Sequence, residues 1–189
     1  MFSAFLDANI LVPIALTDLL LRSAERDLYA PLWSQKVFDE LRRALLKIHP
    51  NMGQPRIDIR LSAMQGRFPD ACVEGYEKLI DTIDLPDPDD RHVVAAAIRG
   101  GADMIVTANS KDFRGPTLAR FGLHQQTPDV FLVDLFDLYR IEMLDILAEQ
   151  SAALTLSPRR NIDVLESLKR AGVPRFVTEV RESLDQVRH

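Results

Sequence analysis

Up to about residue 128, short apolar runs alternate with stretches of helical periodicity; beyond it only the helical pattern continues. Residues 2–6, 28–33, 82–85 and 104–107 are the short runs, each bounded by turn or capping residues, and they read as buried strands. The intervening segments 10–23, 34–48, 57–64, 71–79, 88–99 and 115–121 carry apolar residues at helical spacing. Strand and helix in alternation predict a parallel sheet with helices on both faces, because parallel strands need a crossover. Ser34 is placed to cap the helix whose apolar face is Val37, Leu41, Ala44, Leu45 and Ile48. Residues 49–55, with Pro, Asn and Gly, must connect, and Gly100-Gly101 stops the helix before the last apolar run.

Segments 131–138, 141–154, 162–171 and 176–187 are all helical in pattern. Thr127-Pro128 opens this region with a cap and a first-turn proline, Asn161 can cap its third helix, and Gly172 with Pro174 ends that helix. The expected organisation is therefore an α/β domain over 1–128 and a helical C-terminal extension over 129–189. The extension is small and amphipathic, suited to covering one side of the sheet or to forming a dimer or partner surface.

The 189 residues contain no run of about 18 apolar residues, which excludes a transmembrane helix. The start, MFSAFLDANILVPIAL, carries Asp7 and no basic leader, so it reads as mature protein rather than a signal peptide. Cys72 is the sole cysteine, which rules out an internal disulfide or a cysteine zinc cluster and fits a reducing cytoplasm. A net charge of -5 argues against an electrostatic wrapper of nucleic acid, but not against an enzyme that touches a few phosphates.

Much of that negative charge is concentrated. DLPDPDDRHVVAAA, residues 84–97, places Asp84, Asp87, Asp89 and Asp90 at the entrance to an alanine-rich helical run. Helix capping accounts for one or two of them, since exposed N–H groups favour an anion at a helix start by about 0.3–1 kcal/mol. It does not account for all, nor for Asp7 and Asp112 after other expected strands. In a parallel sheet ligands gather at the carboxyl ends of the strands. Asp7 follows the first strand, Asp87, Asp89 and Asp90 the third, Asn109 and Asp112 the last, and Glu40 sits on the helix after the second. Carboxylates gathered there raise one another's pKa and oppose folding unless a cation compensates, and Mg²⁺ takes oxygen ligands while keeping several waters.

Four stretches taken in order resemble the PIN-domain nucleases, specifically the VapC-type ribonuclease toxins of bacterial toxin–antitoxin pairs. FLDANIL (5–11) is similar to the family's opening strand with its first aspartate, Asp7. DELRRAL (39–45) is similar to the helix that brings the glutamate, Glu40. DPDDRHVVAAA (87–97) is similar to the third motif, whose acid stands seven residues before an alanine, giving Asp90 with Ala97. GADMIVTANSKDF (101–113) is similar to the last, with Asp112 as its acid. The similarity covers roughly residues 1–135, and the helical tail resembles the C-terminal piece of a VapC subgroup. One position departs: many relatives carry aspartate two residues after the threonine of the last motif, where this chain has Asn109.

The resemblance implies a three-layer α/β fold with a parallel central sheet flanked by helices, plus the C-terminal helical extension. It implies hydrolysis of an RNA phosphodiester with Mg²⁺ or Mn²⁺, Asp7 and Asp90 being direct ligands, Glu40 orienting water or ligating through it, and Asp112 the fourth acid. A cognate antitoxin is the implied partner, docking on the 34–48 helix or the tail, alongside an expected homodimer, a cytoplasmic location and no membrane. Asn9 either bonds an acid or caps the next helix. Thr107 and Asn109 contact a substrate phosphate or hold an acid in place, or the Thr107 hydroxyl simply bonds to backbone at the strand end. Asp87 and Asp89 are further ligands or solvated loop acids. His92 is a ligand or, in the more usual case, a satisfied or exposed residue, and Arg91, Lys111 and Arg114 are placed to steer phosphates. Two other readings stand. A haloacid-dehalogenase-type phosphatase also opens with a strand-end aspartate, but needs a second at the position of Asn9. A PIN-like module that binds RNA or protein without cutting is compatible with Asn109.

Overall fold

The computed structural model describes residues 1–51, 53–111, 113, 115–155 and 164–187. The expectations placed on Asp112, Arg114 and Asn161 lie outside the described residues. From the amino end the elements are β1 (Ser3–Leu6), a 3-10 turn (Ala8–Leu11), α1 (Ile14–Glu25), β2 (Ala30–Ser34), α2 (Gln35–Ile48) and α3 (Gln54–Arg67). There follow β3 (Cys72–Val73), α4 (Glu77–Ile80), a 3-10 turn (Pro88–Asp90), α5 (Arg91–Gly100), β4 (Met104–Val106), α6 (Gly115–Ala119) and β5 (His124–Gln126). The remainder is α7 (Pro128–Leu138), α8 (Arg140–Thr155), α9 (Val164–Arg170) and α10 (Pro174–Val187).

One compact unit is made of Met1–Val12 and Tyr29–Gln126. Its five-stranded sheet has the order β3-β2-β1-β4-β5 with every pairing parallel. Central strands covered on both faces read as continuous apolar runs, and Ala4, Phe5 and Leu6 of β1 are fully buried beside Ile105 and Val106 of β4. The order reverses between β1 and β4, which makes their carboxyl ends the crevice where such a sheet accepts a ligand. Ser34 caps α2 as expected, its hydroxyl accepting the Val37 N–H at 3.3 Å. Trp33 then stacks on Phe38, centroids 5.3 Å apart, and meets Phe68 edge-on at 5.9 Å. Trp33 and Phe38 are fully buried, and each such ring contributes roughly 1.5–3 kcal/mol. That cluster anchors α2 against β2 and fixes which face of the helix points inward. α5 packs on β2, β3 and β4. It ends at Gly101, a left-handed C-cap at φ 65. A Cβ on Gly100 would stand 2.6 Å from Val73 Cγ2, so only glycine lets α5 lie this close to β3.

Three expectations change. The third strand is Cys72–Val73, inside a segment expected to be helical, whereas residues 82–85 join no strand: Thr82 and Ile83 donate back to the Leu79 and Ile80 carbonyls, and the connection buries Ile83 and Leu85. β5 is an additional strand with the polar sequence His124-Gln-Gln126. The helix expected from Pro88 begins with one 3-10 turn and becomes α-helical at Arg91.

The second compact unit groups Pro13–Leu28 with Thr127–His189, so α1 packs with α8 and α9 although it lies in sequence between β1 and β2. Gln150 on α8 donates to the Ala15 carbonyl at 2.8 Å, the Ser23 hydroxyl meets the Met143 sulfur, and Arg22 and Arg26 pair with Glu149. Thr127 caps α7, and Asp129 in its first turn caps α10, accepting the N–H groups of Arg175 and Phe176 at 3.2 and 3.0 Å. Phe136 and Phe176 meet edge-on beneath that cap.

Candidate active site

The carboxyl ends of β1 and β4 are tied together by one aspartate. The Asp7 N–H continues the ladder to the Val106 carbonyl at 3.1 Å, which leaves its side chain at the edge where β1 stops. The residue is 5% exposed. Asp7 Oδ1 accepts the Ala8 N–H at 2.7 Å, and Oδ2 accepts from Asn9 Nδ2 at 2.6 Å and from the Thr107 hydroxyl at 2.7 Å. Burial pushes this carboxyl above the ordinary aspartate value. Hydrogen bonds from Thr107 and Ala8 pull the other way, the Glu40 carboxylate nearby raises it further, and His92 lowers it. Among the described residues no Lys or Arg forms an ion pair with Asp7.

The surrounding polar groups hold that aspartate. Thr107 is fully buried and also accepts from Asn9 Nδ2 and from the Asn109 N–H, both at 3.0 Å. Asn9 accepts the Ala108 N–H at 3.0 Å, so it clamps the β4 exit to Asp7. Of its two anticipated roles it takes the first: capping of the 3-10 turn falls to Asp7, because Asn9 lies inside that turn and its amide points back to the strand ends. The Thr107 hydroxyl serves Asp7 rather than a local carbonyl.

The aspartates of the acidic loop have different roles. Asp87 is exposed and caps its 3-10 turn, accepting the Asp89 N–H at 2.9 Å. Asp84 and Asp89 are exposed. Asp90 is half-buried and makes no capping bond at the start of α5; instead its Oδ2 accepts from Asn109 Nδ2 at 3.3 Å. Asn109 thus connects Asp90 to the Thr107–Asp7 group, the position at which an acid was expected.

Glu40 projects from the second turn of α2, and its Oε1 lies 2.9 Å from His92 Nε2 of α5. His92 is 1% exposed, so of its readings it is not the solvent-facing residue; its Nε2 is partnered by Glu40. Lys36, Glu40 and Arg43 fall at i, i+4 and i+7 on one face of α2 and, with Asp89, line a cleft of about 430 Å³. That basic pair was not singled out from sequence; its signal is its helical spacing about Glu40. Of the basic residues expected here, Arg91 is half-buried and Lys111 exposed.

The donors available for a cation are carboxylate, amide and hydroxyl oxygens, the set a hard divalent ion prefers. A buried carboxylate whose pKa is raised, with a second acid adding to the strain, fits such an ion. Among the described residues no three of the His, Cys, Asp and Glu side chains stand ready-arranged around one metal. Water and substrate oxygens would complete the coordination, as is usual for Mg²⁺.

The profile of the PIN domain matches residues 3–111, and that of the VapC50 C-terminal domain matches residues 128–182. The chain is 33% identical over 132 residues to the "Putative ribonuclease VapC50" of Mycobacterium tuberculosis (strain ATCC 25618 / H37Rv), covering 70% of this chain and 76% of that protein. No solved structure matches the chain significantly.

Proposed function

The chain belongs to the PIN-domain family, and from that premise we propose that it is a metal-dependent endoribonuclease that hydrolyses RNA phosphodiester bonds as the toxin of a toxin–antitoxin pair. The observation that carries this reading is Asp7, a carboxylate kept buried at the sheet's switch point against its own desolvation. Capping the 3-10 turn does not by itself call for a buried, desolvated carboxylate, and active sites are where such perturbed groups collect.

Asp7 and Asp90 would hold Mg²⁺ or Mn²⁺, with Asp112 as a further acid. The ion would supply a lowered pKa for its bound water and charge stabilisation for the leaving oxygen. Glu40 would orient the attacking water or hold the ion through a bound water. Thr107 and Asn9 hold the Asp7 carboxylate in a single orientation, and Asn109 does the same for Asp90 without adding charge. Lys36 and Arg43 flank Glu40 in the cleft, where cations position phosphate without reading sequence. Asn9 spends both ends of its amide on Asp7, Thr107 and Ala108, so it is not the proton-transferring acid that a phosphatase would need.

The proposed setting is the cytoplasm, with a cognate antitoxin protein as partner and a homodimer as the working form. Among the described residues no helix is long and apolar enough to cross a membrane. The test is cleavage of single-stranded RNA beside a generic phosphomonoester, with Mg²⁺, with Mn²⁺ and with chelator. RNA cut only with metal, and not by Asp7→Ala, supports the reading. Phosphomonoester turnover, or RNA binding without cleavage, overturns it.

A further inference from the structure

His92 is a buried histidine that the proposed chemistry leaves unused. It sits in the first turn of α5, with Nε2 2.9 Å from Glu40 Oε1, and its Nδ1 is buried without a hydrogen-bond partner among the described residues. A proton on Nδ1 would be a buried donor with nothing to receive it, so the tautomer that the geometry supports carries its proton on Nε2 and points that N–H at Glu40 Oε1. From the other side Glu40 is approached only loosely, by Arg43 Nη2 at 3.9 Å. One carboxylate oxygen is thus committed to the imidazole, while no described residue donates a hydrogen bond to Oε2.

We infer that His92 is a positioning residue that locks the Glu40 carboxylate through Oε1 and leaves Oε2 free for the water attacking the phosphodiester. This rests on the nuclease reading for its catalytic consequence, though not for the contact itself. Glu40 needs such a lock because it projects from a helix and reaches the strand ends through a side chain with three rotatable bonds. An imidazole N–H held in the packed first turn of α5 suits this role, since it removes the rotational freedom of the carboxylate. A lysine or arginine would also orient Glu40, but would cancel the negative charge. Ligation through the imidazole is disfavoured because Nε2 is already engaged and Nδ1 is buried.

Three substitutions separate this role from simple packing. In His92→Gln the amide nitrogen reaches where Nε2 stands; in His92→Asn it reaches only where Nδ1 stands; His92→Phe keeps the ring and removes the donor. The expected result is a fall in kcat of about tenfold to a hundredfold for Asn and Phe, with KM within about threefold of wild type. Gln is expected to keep kcat within about threefold. On a Glu40→Gln background, His92→Phe should add less than about threefold, because the two act as a unit. Equal losses in all three variants that follow their melting temperatures, or independent losses in the double variant, would overturn the inference. Imidazole ¹⁵N NMR of the metal-free protein reads the contact without turnover. His92 should appear as the Nε2–H tautomer, with that resonance shifted by Glu40→Gln. An Nδ1–H tautomer, or a resonance indifferent to Glu40→Gln, refutes the lock. If the wild-type chain cuts no RNA, the nuclease reading fails and the NMR result still decides the positioning claim.

Discussion

Two aspartates stand at opposite ends of the same pair of strands. Asp103 precedes β4 at the amino end of the sheet and is exposed; its Oδ2 accepts the Ser3 N–H at 2.7 Å and the Ser3 hydroxyl at 3.0 Å. The Ser3 N–H above all, then its hydroxyl, hold that carboxyl below the ordinary aspartate value, with the chain's N-terminus and His124 helping. Asp7 follows β1 at the carboxyl end, and burial moves it the opposite way despite three hydrogen bonds. Asp103 clamps the register of β1 on β4 while keeping its hydration. Asp7 gives up hydration for a position. Residue type and strand pair are the same, so what differs is desolvation, and under the proposed function that difference separates an acid that serves the fold from one that serves the chemistry.

Removing each acid should break the contrast most sharply. Asp7→Ala is expected to lower kcat for metal-dependent RNA cleavage on the order of a thousandfold or more, with a loss of metal-free stability no larger than that of Thr107→Val, because relief of the buried charge offsets part of the lost hydrogen bonds. Cleavage rates with parallel urea melts check this. Thr107→Val strips the hydroxyl that donates to Asp7 and accepts from Asn9 and Asn109. The expected cost is about 1–3 kcal/mol in urea denaturation, because buried polar groups lose their partner. Activity should fall about tenfold as Asp7 loses its orientation.

Titration sharpens the same comparison. A raised carboxyl binds its proton more tightly folded than unfolded, so the Asp7 contribution is present below the ordinary aspartate pKa and is lost as pH rises through the raised value. For Asp103 the sign reverses: its contribution is present above the ordinary value and is lost as pH falls through the lowered one. Melts in chelator across the acid range should therefore show Asp7→Ala flattening the decline on the rising side, and Asp103→Ala flattening the rise from the acid side. Magnesium should restore the stability that wild type loses with rising pH. The smallest effect is Asp103→Ala at neutral pH, about 0.5 kcal/mol because the site is solvent-screened, with cleavage unchanged.

The sequence made legible the elements with a strong period or a strong cap. β1, β2 with its Ser34 cap, α2, and the glycine stop after α5 need only local rules. β3 was hidden because two residues have no period, and Cys72-Val73 sits among residues that fit a helix as well. Residues 82–85 read as a strand because Ile83 and Leu85 alternate, yet a turn and the connection after it bury the same pair. β5 was hidden because its residues are polar, without the apolar run that strand reading relies on. The packing of α1 with α8 and α9 depends on contacts far apart in sequence. At the site, Asp7, Glu40 and Asp90 were visible through motif order. The division of the acidic loop into a cap and an inward-facing acid, and the burial of His92, belong to tertiary packing alone.

Everything functional here depends on the Asp7 carboxylate being the seat of a divalent cation. Titrating Mn²⁺ into the protein at neutral pH, with bound ion read by electron paramagnetic resonance, measures that directly. Saturable uptake by wild type that Asp7→Ala abolishes and Asp103→Ala leaves intact is the predicted result. Equal uptake by wild type and Asp7→Ala, or none by either, would contradict it.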